Sequence, residues 1–321
     1  MRINFIFKII ILLLISVSAS VFAKPSSATN DSYPRTFANA DGSETVIPTK
    51  PTRILSTSVT VSGTLLAIDA PLIASASSYE GWFFRQWGSL AKERQVENVW
   101  PAGSVDLEAA YIYEPDLIVV AWRGADSARD QIAEFQQIAP TIVVDYSTQS
   151  WQDLAVKLGA ATGLEKQANQ RINEFEQFVE ESRTKIKIPE GETNIVAYFG
   201  AGATNAIALE TGVHAKLLSD LGFKMEVQNH QWHDNSVPLS DFLRVHFELL
   251  TQLKAQTTFL LEANEKSAKL FMQDPILVNL PSVKKNQVFG LGMSSFRVDM
   301  YSATDIVNRI VERFGNQPDE G

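Results

Sequence analysis

The sequence predicts an α/β protein of two lobes with mainly parallel sheets, joined by one long connecting helix. Three observations lead there. Strand-like and helix-periodic stretches alternate from residue 53 to residue 163. The same alternation restarts near residue 194 and runs to residue 314. Between them, residues 165–186 form a charged stretch free of Gly and Pro, with Ile172, Phe175, Phe178 and Val179 at helical spacing. Twenty-odd helical residues span roughly 30 Å, about one domain diameter.

The elements follow in order. Arg2 and Lys8 precede an apolar run, residues 9–14, and a small-residue stretch ends at Ala23. That pattern is a secretory signal peptide with cleavage after Ala23, and its apolar core is shorter than the ~20 residues a membrane span needs. A polar segment, 24–33, comes next. Residues 53–58 read as a strand, 61–68 as a helix, 72–77 and 117–121 as strands, and 127–138 as a helix. A strand at 141–145 and a helix at 151–162, stopped by Gly163, complete the first half. Past Pro189 come strands at 194–199 and 206–209, a helix at 213–221 and a strand at 257–262. A helix at 266–272, a strand at 287–291 and a terminal helix at 302–314 follow. The expected organisation is a signal peptide (1–23), a first lobe (24–163), the connecting helix (164–188) and a second lobe (189–321).

Composition narrows the function classes. The chain has no cysteine, which removes disulfides, thiolate catalysis, thiolate metal ligands and a lipid-modified amino-terminal cysteine. The processed protein is therefore expected free in a periplasm, without membrane insertion. Removing Arg2 and Lys8 from 28 basic residues leaves 26 against 37 acids, a net charge of −11 that does not favour nucleic acid. No Gly-x-Ser-x-Gly elbow or phosphate loop is present, and Gly200-Ala201-Gly202 lacks the third glycine of a dinucleotide fingerprint. An enzyme acting on a small periplasmic molecule is accordingly disfavoured.

Four runs carry a family resemblance: STSVTVSGTLLAIDAPLIAS (56–75), FFRQWGSLAKER (83–94), DSA (126–128) and SSFRVDMYSA (294–303). The chain resembles the periplasmic ferric-enterobactin-binding proteins, helix-linked binding proteins that serve siderophore and cobalamin importers. The likeness is dense over 33–187 and 274–309 and weak over 204–244. It implies two lobes facing each other across a ligand cleft, with a rigid connecting helix and modest closure. It also implies a monomer that takes a ferric catecholate siderophore to the permease subunits of an inner-membrane ABC importer. No cofactor is expected, since the ligand itself carries Fe(III). A hydroxamate siderophore or cobalamin is the alternative cargo.

A ferric tris-catecholate displays negative charge on flat rings, so it needs cations and π-faces, which arginine meets with a planar, permanently charged fork. Arg85, in the aromatic run 82–87, and Arg297, between the last strand and the terminal helix, stand at motif positions that resemble ligand contacts. Arg123 directly follows the strand at 117–121 and is the third candidate, with a salt bridge to Asp126 or to a neighbouring helix as its plainer role. Trp232 is a candidate aromatic wall from the second lobe. His230 and His233 lack a third ligand, so no metal site is expected; whether either, with Tyr301 or another tyrosine, completes the iron shell of a two-catechol ligand is left open. A weak internal repeat places Glu108 and Glu248 each nine residues before a buried strand. In the family, acids in similar places dock onto permease arginines; helix-dipole stabilisation is the structural alternative.

Overall fold

The apolar runs Ile54–Ser56 and Leu117–Ala121 are buried throughout, the pattern required of parallel strands covered on both faces. In the computed structural model, which describes residues 32–315, they pair side by side in the first sheet. The expected signal peptide, residues 1–23, lies outside the described residues.

A short antiparallel hairpin, β1 (Arg35–Ala38) and β2 (Glu44–Ile47), opens the first lobe. It is followed by β3 (Ile54–Ser56), α1 (Val59–Ala67), β4 (Leu72–Ser77), α2 (Arg85–Glu93) and β5 (Glu97–Pro101). The lobe continues with α3 (Leu107–Ile112), β6 (Leu117–Ala121), α4 (Ile132–Phe135), β7 (Thr141–Val144) and α5 (Trp151–Thr162). Its five-stranded sheet is parallel throughout, in the order β5-β4-β3-β6-β7. The hairpin, β5 and α2 were not anticipated from the sequence. The hairpin shields the sheet's free edge: Ala40 N donates to the Val143 carbonyl, and Val143 N donates to the Asn39 side chain. The helix expected over 127–138 forms only a 3₁₀ turn at Arg129–Gln131 and the single turn of α4.

Helix α6 (Glu165–Arg183) is the long connector, about 28 Å at 1.5 Å per residue. The turn into it requires glycine, because Gly163 caps α5 at φ 68°. The second lobe comprises β8 (Glu192–Ala197), β9 (Thr204–Ala208), α7 (Val213–Asp220), β10 (Lys224–Met225), β11 (Phe242–His246) and β12 (Thr257–Leu260). After these come α8 (Glu265–Gln273), α9 (Pro281–Lys284), β13 (Val288–Gly290) and α10 (Met300–Phe314). Its sheet runs β11-β9-β8-β12-β13, with β10 also beside β8. The β8, β10, β12 and β13 pairings are parallel, while β9 and β11 are antiparallel, so this sheet is mixed.

The two lobes share one core. A single apolar cluster joins Ile54 and Leu117 of the first sheet, Phe175 and Val179 of α6, Ile306 and Ile310 of α10, and Ile195 and Phe259 of the second sheet. Burying each such side chain contributes roughly 1.5–3 kcal/mol. The terminal helix, expected to belong to the second lobe, packs against α6 and against α1 and α2 of the first. Its N-cap, Asp299, is buried; one carboxylate oxygen accepts from Ser302 N at 2.9 Å and the other from Gln86 Nε2 at 3.0 Å. Burial raises this carboxyl's pKa.

A core continuous through α6 and α10 leaves little freedom for the lobes to swing. X-ray scattering with and without a ferric catecholate should give radii of gyration that agree within error. A marked ligand-dependent contraction would instead show hinged closure.

Candidate functional site

In a parallel sheet, ligands gather at the carboxyl ends of the strands where the strand order reverses. Here that point lies between β3 and β6, and three structures converge there: the N-terminus of α1, the loop after β6, and the segment after β7. They form one wall of a cavity of about 1050 Å³, at the top of the ~300–1,000 Å³ range of small-molecule sites. The opposite wall comes from the second lobe: Pro238–Asp241, Phe242 and Arg244 of β11, His214 of α7, and Phe296–Val298.

The first wall is organised by a buried carboxylate. Asp126 accepts from Ser58 Oγ at 2.6 Å and Thr60 N at 3.0 Å, at the start of α1, and from the Tyr146 hydroxyl after β7. Tyr146 can approach only because residue 124 is glycine: at φ 105°, a Cβ there would lie 1.7 Å from the Tyr146 hydroxyl oxygen. Burial, and then the charge of Asp126, push the Tyr146 hydroxyl above its ordinary range, so it stays a phenol. Beside it, the Arg129 guanidinium lies over the Trp122 ring at 5.7 Å.

The second wall carries two more arginines set against aromatic rings. Phe242 and Phe296 stack with centroids 5.5 Å apart and planes 3° from parallel. Arg244 lies 6.0 Å from the Phe242 ring, two residues along β11 and hence on the same face of the strand. Arg297 lies 5.1 Å from the Phe296 ring and, across the cleft, 5.9 Å from the Tyr146 ring. Arg123 is bridged to Asp145 at 3.5 Å and Arg129 to Asp130 at 3.6 Å, whereas Arg244 and Arg297 have no carboxylate within 4.0 Å among the described residues. Desolvation, then the neighbouring Arg297, lower the Arg244 pKa. The site is thus a cleft with two half-buried, unpaired cations and several flat π-surfaces, suited to an anionic, ring-bearing guest.

A model of the family described as periplasmic binding protein matches residues 54–294. The chain belongs to that family. It is also 33% identical over 292 residues to the ferric enterobactin-binding periplasmic protein FepB of Escherichia coli O6:H1 (strain CFT073), covering 88% of this chain and 91% of that one. Among solved structures it is similar to holo-ViuP, at 55% identity and a TM-score of 0.87, over 89% of this chain and 96% of the other. FhuD2 from Staphylococcus aureus with bound ferrioxamine B matches with a TM-score of 0.65 at 18% identity, covering 82% of this chain and 98% of that one, a likeness of fold.

Against this cleft, the residues singled out in the sequence fall into two groups. Arg297 and Arg123 line it, and the Arg123 partner is Asp145 rather than Asp126, whose carboxylate is occupied by Ser58, Thr60 and Tyr146. Arg85 does not line it: a glycine turn at Gly81 leads to Phe84, the N-cap of α2, and Arg85 opens onto a separate depression of about 250 Å³ with Gln86, Ser294 and Arg309. Trp232 also lies off the cleft lining, packed against the second lobe's own core. Neither His230, His233 nor Tyr301 lines the cleft. His230 is exposed, both ring nitrogens of His233 are hydrogen-bonded, and Tyr301 packs against the shared core with its hydroxyl pushed up to about 12 by burial. Glu108, in the first turn of α3, and Glu248, in the 3₁₀ turn Phe247–Gln252, are both exposed. Among the described residues, no group of three or more His, Asp or Glu side chains is arranged to hold a metal ion, and no helix is long and apolar enough to cross a membrane.

Sequence reasoning missed Trp122, Arg129, Tyr146 and Arg244. Arg244 left one signal: a lone cation in the run Phe242-Leu243-Arg244-Val245, at the i+2 position that shares a face with Phe242.

The cleft also holds a pH-sensitive group. His214 donates from Nε2 to the Ser295 carbonyl at 2.8 Å, and its Nδ1 has no partner. Burial pushes it down to about 4 from an ordinary 6.5. The unfolded chain therefore binds a proton near pH 6.5 that the folded one refuses until about 4, so stability falls as pH drops through that window. Between pH 7 and 5 the contribution is about 2 kcal/mol. Urea denaturation should show wild type losing roughly that much more than His214→Gln over this interval; parallel losses would contradict the assignment.

Proposed function

We propose that this protein captures a ferric catecholate siderophore and presents it to an inner-membrane ABC importer. The observation that carries the reading is the pair Arg244 and Arg297: half-buried guanidiniums without carboxylate partners, each set against an aromatic ring in one cleft. A neutral guest would leave both guanidiniums without a close anionic partner, whereas an anionic, ring-bearing one supplies it. The likeness to FepB, a ferric enterobactin-binding protein, and the chain's place among periplasmic binding proteins point the same way. Iron enters as part of the cargo, bound by the siderophore. A carrier must release its ligand unchanged, which suits a cleft whose Tyr146 phenol is held protonated by burial and by the neighbouring Asp126.

Delivery is assigned to Glu108 and Glu248, exposed acids of the two lobes that meet basic sites related by the importer's two-fold arrangement. The protein acts as a monomer in the periplasm after cleavage behind Ala23, where intact-mass measurement of the exported chain should find its new amino terminus.

Two experiments test this reading. In titrations followed by protein fluorescence, with Trp122 in the cleft as reporter, Arg244→Ala and Arg297→Ala should each weaken ferric-catecholate binding by about 1.5–3 kcal/mol. That is roughly ten- to 150-fold, while Arg85→Ala should bind as wild type. A ferric hydroxamate of lower charge should compete poorly; unchanged affinity in both cleft variants, or preference for the hydroxamate, would overturn the assignment. In cells, the Glu108→Ala/Glu248→Ala double variant should keep its ligand affinity and lose most uptake. Normal uptake would return both acids to a merely structural role.

A further inference from the structure

Strand β11 is the edge of the second sheet, bonded to β9 on one side only. An edge strand leaves backbone groups unpaired, and one that carries a binding residue holds it no more firmly than its free side allows. At Arg244 that free side is covered. The Arg244 N–H donates to His233 Nδ1 at 3.1 Å, and the Arg244 carbonyl accepts from Asp234 N at 2.7 Å. The other His233 nitrogen, Nε2, donates to the Val237 carbonyl at 3.0 Å. Since a carbonyl can only accept and an amide N–H can only donate, the ring carries its proton on Nε2 and leaves Nδ1 bare. His233 is buried, so neither bond is replaced by water without cost.

We propose that His233 is the positioning residue of this site, a staple that sets Arg244 and the adjoining cleft wall in their working geometry. The inference rests on the reading of the cleft as the ligand site. One ring nitrogen fixes the backbone from which the unpaired Arg244 side chain extends. The other fixes Val237, immediately before Pro238–Asp241, the segment that lines the cleft beside Arg244. A single imidazole therefore ties an irregular loop to the strand's free edge and holds two parts of the second wall together. This gives His233 a role different from iron coordination, for which it has no ring nitrogen left.

Two substitutions separate the contributions. His233→Asn places an amide oxygen near the Nδ1 position and retains an acceptor for the Arg244 N–H. His233→Leu fills comparable space and removes both bonds. Amide hydrogen exchange followed by NMR on ligand-free protein should find the Arg244 N–H protected in wild type and His233→Asn, and roughly tenfold or more less protected in His233→Leu. Titration with a ferric catecholate should show His233→Leu, which loses both bonds, about three- to tenfold weaker, with His233→Asn, which keeps the one to Arg244, closer to wild type. In an Arg244→Ala background, His233→Leu should add clearly less loss than it causes in wild type, because most of its effect passes through Arg244. Unaltered Arg244 protection in His233→Leu, or losses that simply add in the double variant, would overturn the proposal. Should wild type fail to retain the ferric catecholate, the functional reading falls, while the exchange measurement still decides whether His233 holds Arg244.

Discussion

The constraint on which the rest of the structure depends is the apolar core that runs unbroken from the first sheet through α6 and α10 into the second. Each lobe by itself is an ordinary layered α/β arrangement. What makes a site of them is that Tyr146 of one wall and Arg297 of the other are brought to 5.9 Å, a distance set by packing far from the cleft. Asp299 couples the two regions most directly: it caps α10, accepts from Gln86 of the first lobe, and lies two residues from Arg297. A buried carboxylate is expensive unless its oxygens are satisfied, and here both accept hydrogen bonds.

Electrostatics divide the cleft into provided and demanded parts. Arg123 and Arg129 each project an exposed guanidinium toward an aspartate, Asp145 and Asp130, and an ion pair with an exposed cation is worth little. Arg244 and Arg297 make no ion pair within 4.0 Å among the described residues, and Asp241 and Glu262 act on Arg297 only from farther off, so both guanidiniums stay available to a guest. Tyr146 contributes a π-face and an oxygen already committed to Asp126, which fixes its orientation before any ligand arrives. The fold's overall negative charge does not oppose this, because binding responds to the potential inside the cleft.

How much of this was legible beforehand follows from where the information sits. The connecting helix could be read at once, since residues 165–183 hold charge, periodicity and freedom from Gly and Pro in one uninterrupted stretch. The buried strands at 54–56, 72–77, 117–121 and 141–144 were equally plain, each a compact apolar run between turn residues. Arg123 was accessible because it closely follows a buried strand, and Arg297 because it lies in a motif between the last strand and the terminal helix. Arg85 looked equivalent, but α2 begins at that very residue and the helix start carries it to a different depression. Tyr146 was hidden because its place is set by Gly124 and Asp126, some twenty residues away, and no local pattern encodes that contact. Arg244 was hidden because the edge of β11 is completed by a histidine side chain rather than by another strand.

The most direct test of the central claim is a crystal structure of the protein with a ferric catecholate bound. The iron complex should lie in the cleft between the lobes, its oxygens and rings against Arg244, Arg297 and the Trp122–Tyr146 wall, with the Arg85 depression empty of it. An iron complex seated against Arg85, or one that leaves Arg244 and Arg297 without an anionic partner, would contradict it.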